Sequence, residues 1–372
     1  MTDLLQYNKS DINKINKYII YIYKQLLDGA KYINTLDIST DTVINTKCIS
    51  NLNDNTFLPT HIKEYILTNT NQSITYRTTI NGKNIRLSFS GMKNEKSKIN
   101  ISNQQIYSVF LIIYLLSLYT SAQCSKQLNI NIFLTQFKKE LPNNKEEIIS
   151  SNHVNSGLSN NGCNYTSQMI IYREEEWFKV LIHELFHNLN LDFSTKDISK
   201  STKALREYCG IKSKYAIYET YCETWARILN CCISSFIMST ILIKNKPTAI
   251  IMKQEYINNF HKLIKLESNF SLKQAELILK QFKKKEDYKE NSNVFCYYIL
   301  TACLMNNYLY FLIWCHENNP AFIKFKDTYK NIDSFTKLII NNLDSNNFNN
   351  DLDQVRKLNK GNNNKSLRMS IV

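Results

Sequence analysis

The 372-residue chain reads as an α+β protein, with a small mixed sheet in its first half and a largely helical second half. Three observations predict this. Residues 73–80 and 83–90 are β-branched and aromatic stretches flanking Asn81-Gly82, the strongest short-range hairpin signal. Residues 128–137 and 167–172 carry two further strand patterns. Beyond about residue 174 the apolar spacing turns helical, and only seven Gly and four Pro punctuate the whole chain, which favours long helices.

Taken in order, residues 11–34 form an amphipathic helix ahead of the hairpin. An apolar helix over about 104–122 would back the sheet, and 140–151 is a polar connection. Glu174, Glu175 and Glu176 open the next helix, where acids complement the positive end of the helix dipole and need no catalytic role. Helices are then expected over 177–189, 216–229, 233–245, 248–267, 271–286, 292–317 and 321–342. The tail from 343 is rich in Asn and Lys, too polar to bury a core, and is expected to lack folded structure. This divides the chain into 1–150, 151–232, 233–342 and 343–372. The apolar runs 106–122 and 294–315 approach the length of a membrane span. Both are read as buried helices, the second being interrupted by Asn306-Asn307.

The formal net charge is +14, but the lysines are dispersed and no nucleic-acid motif accompanies them. No specific nucleic-acid partner and no membrane association are therefore expected. The absence of a glycine-rich phosphate loop argues against P-loop and dinucleotide enzymes. Ten Cys occur without Cys-x-x-Cys pairs, several of them in apolar runs, including Cys222, Cys231, Cys232, Cys296, Cys303 and Cys315. They read as small buried hydrophobes in a reducing compartment rather than a disulfide framework. With no signal-peptide pattern in the first residues, a cytoplasmic setting is the expectation.

The chemistry concentrates in His183-Glu184-Leu185-Phe186-His187. Residues four apart share one helix face, so both imidazoles can reach one metal ion. Glu184 is offset around the helix and placed to contact a water on that metal. This is the zincin pattern of two His ligands and a carboxylate general base.

A catalytic zinc takes a third protein ligand. The metzincin continuation fails here, since Asn190 and Phe193 stand at its Gly and ligand positions, and Asp192 is one residue short of the ligand place. Further on, Glu219 and Glu223 share a face of an otherwise apolar helix with Ile217, Tyr221, Trp225 and Leu229. Buried carboxylates need partners, and a metal with its His ligands would supply them. Over about residues 150–232 the chain resembles the gluzincins, the thermolysin-like zinc peptidases. The shared order is a strand, the His-Glu-x-x-His helix and a Glu helix, and the Ser167-Gln-Met run resembles the corresponding thermolysin stretch. The resemblance implies a zincin-like catalytic domain, Zn²⁺ as cofactor and Glu219 as third ligand. Glu223 would then accept from a ligand His, with the reverse assignment of the two acids still open. It also implies that strand 167–172 lies at the sheet edge, where a substrate pairs with it.

The reaction implied is peptide-bond hydrolysis of a peptide or protein substrate, with Glu184 as general base. Tyr215, Tyr218, His261 and His316 are candidates for an oxyanion donor, and the sequence does not choose among them. Substrate identity, endo- or exopeptidase action and oligomeric state are not legible. Two other readings stand beside this one. One is a catalytically silent zincin-like metal-binding or scaffold protein. The other is a basic nucleic-acid or membrane-surface protein in which the motif is accidental.

Overall fold

Asn81 and Gly82 both adopt positive φ (46° and 75°), as a two-residue primed turn requires. They join strands β2 (Thr70–Ile80) and β3 (Lys83–Met92), paired so that Ile80 faces Lys83. A computed structural model describes residues 7–44, 57–92, 99, 101–144, 147–240, 248–282, 288–359 and 364–372. Before the hairpin lie helix α1 (Lys9–Ile33), strand β1 (Ser39–Ile44) and helix α2 (Thr60–Asn69). Helix α3 (Asn103–Ser117) follows, begun by a reciprocal capping box between Ser102 and Gln105. It leads to β4 (Gln127–Phe133), parallel to β3. The short β5 (Ile149–Ser150), α4 (Ser151–Val154) and β6 (Gly157–Ser159) precede β7 (Thr166–Ile171), which is parallel to β4. The sheet order is β1-β2-β3-β4-β7-β6, a mixed six-stranded sheet.

The edge strand differs from expectation. β7 is interior, and the edge is β6, antiparallel to it. Gly157-Leu158-Ser159 is too short and too weakly alternating to register as a strand in the sequence, yet it covers the flank where substrate pairing had been expected.

Helix α5 (Trp177–Asn188) carries the His-Glu-x-x-His run, and α6 (Ser199–Cys209) leads to α7 (Tyr218–Thr240). α7 is one helix through residue 232, so the boundary placed there falls inside a single element, and the expected end of the 233–245 helix lies partly outside the described residues. Helix α8 (Ala249–Leu279) likewise merges two expected helices. The polar Ser268-Asn269 stretch does not break it, because no Gly or Pro intervenes and Ser271 bonds back to the Glu267 carbonyl at 2.9 Å. Strand β8 (Glu290–Asn291) pairs with β5 and ties the helical half to the sheet half. The apolar run 294–315 is a π-helical turn (Phe295–Leu300), α9 (Thr301–Asn306) and α10 (Tyr308–Asn318). The first two run on as Phe295–Asn306, and this stretch and α10 bend by 91° at Asn307. Among the described residues no single helix is long and apolar enough to cross a membrane; that bent pair meets the length and composition criteria only together. Helix α11 (Tyr329–Leu343) starts later than expected, after Pro320 and an irregular stretch.

The tail is folded, contrary to expectation. Helix α12 (Asn346–Leu358) packs Phe348, Leu352 and Val355 against Leu272, Ala275 and Ala302. Three apolar residues on one face suffice, because neighbouring helices supply the rest of the core. Residues 364–372 then run inward, burying Leu367, Met369 and Ser370. The main core is continuous, from Ile19 of α1 through Ile112 of α3 and Phe186 of α5 to Trp225 of α7 and Phe311 of α10. Cys124 and Cys163 form a disulfide across 39 residues, a departure from the reading of isolated thiols. The chain segments meet there through the Ser125 N–H to Asn164 carbonyl bond of 2.7 Å. Cys222, Cys231, Cys232, Cys296, Cys303 and Cys315 are buried and free, as expected of small hydrophobes, and Cys209 is buried too.

Glu290 in β8 makes a pH prediction. Its Oε2 accepts from the Tyr288 hydroxyl and the Phe295 N–H, both at 2.7 Å, while Oε1 is buried without a partner. Burial pushes its pKa from 4.5 up to about 8, against the lowering effect of those bonds. An acid whose folded pKa is raised contributes stability fully below its unfolded pKa and loses it as pH rises through the folded value. Stability should therefore fall between about pH 4.5 and 8. Glu290→Gln, neutral at every pH, is expected to raise the Tm near pH 9 and to change it little near pH 5. Thermal melts across that range check it, and parallel wild-type and variant curves would refute it.

Candidate metal centre

Helices α5 and α7 pack face to face, and each presents a polar stripe at i, i+4, i+8 toward the other: Lys179–His183–His187 and Glu219–Glu223–Arg227. Apolar neighbours such as Leu185, Phe186, Tyr221 and Trp225 bury the rest of both helices. The stripes bring three ligand atoms together. His183 Nε2 lies 3.0 Å from Glu219 Oε2 and 3.3 Å from His187 Nε2, and the third side of the triangle, His187 Nε2 to Glu219 Oε2, is 3.5 Å. Tetrahedral zinc at bond lengths of about 2.0–2.1 Å needs ligand atoms roughly 3.3–3.4 Å apart. These three buried residues can hold a metal ion.

The outer nitrogens are held as well. Glu223 Oε2 lies 3.1 Å from His183 Nδ1, and Asp192 Oδ2 accepts from His187 Nδ1. With Nδ1–H donating on each ring, both Nε2 lone pairs face the centre. Asp192 is thus brought to the cluster, but on the far side of the His187 ring from Glu219. Its Oδ1 accepts from the Ser194 N–H (3.0 Å) and hydroxyl (2.8 Å), and Cys222 Sγ lies 3.3 Å from Oδ2. His187, Asp192 and Cys222 form a second group close enough to share an ion. Burial pushes the Cys222 thiol well up, however, which favours the neutral thiol there over a thiolate ligand.

The electrostatics around the three groups suit a cation. Burial opposes charge on both imidazoles; the bonds to Glu219 and Glu223 raise His183, and Cys222, then Asp192 and Glu219, raise His187 well above the ordinary histidine value. Burial alone would raise the Glu219 carboxyl, but the facing imidazoles bring it down to about 2.

Glu223 is more than a histidine acceptor. Lys179 Nζ binds both of its oxygens (2.8 and 2.9 Å), and Arg227 Nε binds Oε1 at 3.0 Å, all three groups being buried. Removing one partner of such a cluster strands the others and costs about 3–5 kcal/mol. Glu223→Ala is therefore expected to destabilise the protein by that order in chelator, where a metal role contributes nothing. Urea unfolding with chelator present checks it, and a loss well below 1 kcal/mol would refute it.

Glu184 lines one small cavity together with His183. Ser159 on edge strand β6 donates to Glu184 Oε2 at 2.6 Å. Gly157 on the same strand packs so closely that a Cβ there would lie 2.9 Å from Glu184 Oε1 and 2.8 Å from Val180. A cavity of about 40 Å³ adjoins His183 and Glu184, walled by Asn155, Gly157, Val180, Tyr297 and Met369. It has room for a few waters.

Of the four oxyanion candidates, Tyr218 alone comes near, its ring 6.0 Å from that of His187. Tyr215 stacks on Phe295, His261 bonds Asn16 at 2.7 Å, and His316 packs on Tyr18 and Phe322. The sequence reading missed Ser159, Lys179, Arg227 and Tyr297. Tyr297 rides on the π-helical turn, with its ring 5.9 Å from that of His183. For Lys179 and Arg227 the signal was present, each one turn from a named site residue on the same face. For Ser159 and Tyr297 there was none.

Comparison with protein-family models, with curated proteins and with solved structures finds no match to this chain.

Proposed function

We propose that this chain is a zinc-dependent metallopeptidase of the gluzincin kind, with His183, His187 and Glu219 as metal ligands and Glu184 as general base. The observation that carries the reading is the convergence of His183 Nε2, His187 Nε2 and Glu219 Oε2 within 3.0–3.5 Å. Two imidazoles and a carboxylate suit zinc, and three protein ligands leave a coordination position open, as catalytic sites do. When bound, zinc would supply Lewis acidity, polarising a water and the scissile carbonyl.

The protein's own groups then have definite tasks. Glu184 takes a proton from the attacking water and returns it to the leaving amine. Ser159 holds one oxygen of that carboxylate in place. Glu223 and Asp192 hold the two imidazoles in the tautomer that leaves Nε2 free. The outer rim of β6, a sheet edge, offers unpaired backbone to an extended peptide.

A metal-binding protein without hydrolytic activity is the second reading. The crowding of Glu184 favours it, since strand β6 packs so closely that a Cβ on Gly157 would lie 2.9 Å from Glu184 Oε1 and 2.8 Å from Val180. One experiment separates the two. Zinc-loaded protein is incubated with a broad peptide library, with chelator and with zinc added back. Cleavage that chelator abolishes and zinc restores supports the peptidase. Bound zinc without cleavage supports the silent protein.

A further inference from the structure

Behind the metal centre lies a buried ionic cluster that hydrolysis does not require. Its acids are Glu176, Glu223 and Glu267 and its bases Lys139, Lys179 and Arg227, three against three, all essentially inaccessible apart from a trace at Glu176. Lys139 pairs with Glu176, and Lys179 Nζ stands 3.9 Å from the same oxygen while binding Glu223. Arg227 Nε binds Glu223 at 3.0 Å and stands 3.9 Å from Glu267 Oε1. Glu223 in turn holds His183 Nδ1.

The segment 367–371 completes this cluster from inside. The N–H groups of Met369 and Ser370 both donate to Glu176 Oε2 at 2.7 Å. The Ile371 N–H and the Ser370 hydroxyl donate to Glu267 Oε2 at 3.0 and 3.1 Å. The segment is fastened along its length. The Tyr298 hydroxyl donates to the Leu367 carbonyl (2.6 Å), the Leu367 N–H to the Lys139 carbonyl (2.8 Å) and Asn230 to the Val372 carbonyl (2.9 Å). Met369 also forms part of the cavity wall beside Glu184, with its sulfur 3.7 Å from Lys179 Nζ.

We infer that segment 367–371 is a positioning strap for the metal centre: by donating to Glu176 Oε2 and Glu267 Oε2 it leaves Lys179 and Arg227 to Glu223, which fixes His183. The physical reason is competition. Lys179 and Arg227 each stand between two carboxylates, one belonging to the strap and one to the histidine. Four donors from the strap reach one oxygen of each of its two acids, while Glu267 Oε1 is buried with no hydrogen-bond partner and has Arg227 Nε 3.9 Å away. Without them, those acids draw the two cations away from Glu223, because a buried carboxylate short of donors is costly. Glu223 then loses the bonds that hold it against His183 Nδ1. Outer partners of a ligand histidine carry about 10- to 100-fold in metal affinity.

This inference rests on the metal reading of His183, His187 and Glu219, and it is tested on zinc affinity rather than on hydrolysis. Ser370→Pro removes one strap N–H and the hydroxyl without changing charge. Zinc affinity by chelator competition is expected to fall about 10- to 100-fold in that variant. Coupling is reciprocal, so zinc must also tighten the strap in the wild type. Hydrogen exchange at the amides of Met369, Ser370 and Ile371 is expected to slow on zinc binding, by more than amides of α1 do. That second measurement needs no variant and stands if Ser370→Pro fails to fold. Wild-type zinc binding with no preferential slowing of these amides would overturn the strap alone. Failure of the wild type to bind zinc would overturn the metal reading and the strap together.

Discussion

Glu219→Ala is expected to leave the protein unable to retain zinc through gel filtration, with affinity lowered by more than the roughly 100-fold that outer partners carry. The reason is geometric. Among the described residues Glu219 Oε2 is the carboxylate oxygen near both Nε2 atoms, at 3.0 and 3.5 Å. Two imidazoles alone leave zinc two protein ligands short of a closed tetrahedron, and one short of a catalytic set. Glu223 does not substitute, because Lys179 and Arg227 hold it on the opposite side of the His183 ring. Asp192 is likewise fixed to the outer nitrogen of His187 by its Ser194 bonds. Since Glu219 is buried beside two imidazoles, its loss in the metal-free state lets both rings discharge instead of stranding a fixed cation. The variant is therefore expected to fold. Circular dichroism checks the fold and chelator competition the affinity. Zinc bound by Glu219→Ala as tightly as by wild type would move the third ligand elsewhere.

Glu184→Gln is expected to separate binding from chemistry. The amide keeps the size and the Ser159 hydrogen bond, and Glu184 is not one of the three converging groups. Zinc affinity should stay within a few-fold of wild type. Hydrolysis should fall by about 10²–10⁴ in kcat, the usual contribution of a positioned general base. KM should change little, because the base acts on the water rather than on the ground-state peptide. The readout is kcat and KM on any peptide the library identifies, beside zinc affinity measured on the same sample. Unchanged turnover in Glu184→Gln would remove it as the base and leave Ser159 and Gly157 as packing around an ordinary buried acid.

Local signals carried much of the architecture. Asn81-Gly82 forces its turn whatever surrounds it, and the 3.6-residue spacing of α5 and α7 dictates which side chains face each other. Those two helices alone juxtapose His183, His187, Glu219 and Glu223, so the cluster was legible in the residue spacing. Asp192 was legible only as an acid near the motif. Its place on His187 Nδ1 depends on Asn190 taking a positive φ of 52° and turning the chain back, which spacing does not reveal. The sheet edge was misread because β6 has three residues, too few for alternation to speak, and exists only by pairing with β7. The tail was misread because composition counts a segment's own apolar residues. Ser366 to Val372 is held chiefly by distant groups, Glu176, Glu267, Tyr298 and Asn230, which tertiary folding alone brings near. Glu176 shows the same limit from the other side. As the third of three acids it looked like a helix-start signal, but its side chain turns inward to Lys139 and the strap.

The most direct test is the zinc content of the purified wild-type chain, by elemental analysis after equilibration with zinc and removal of the excess. About one zinc per chain, as a single three-residue site implies, is the predicted result. Less than a tenth of an equivalent, in protein shown to be folded, would contradict the account.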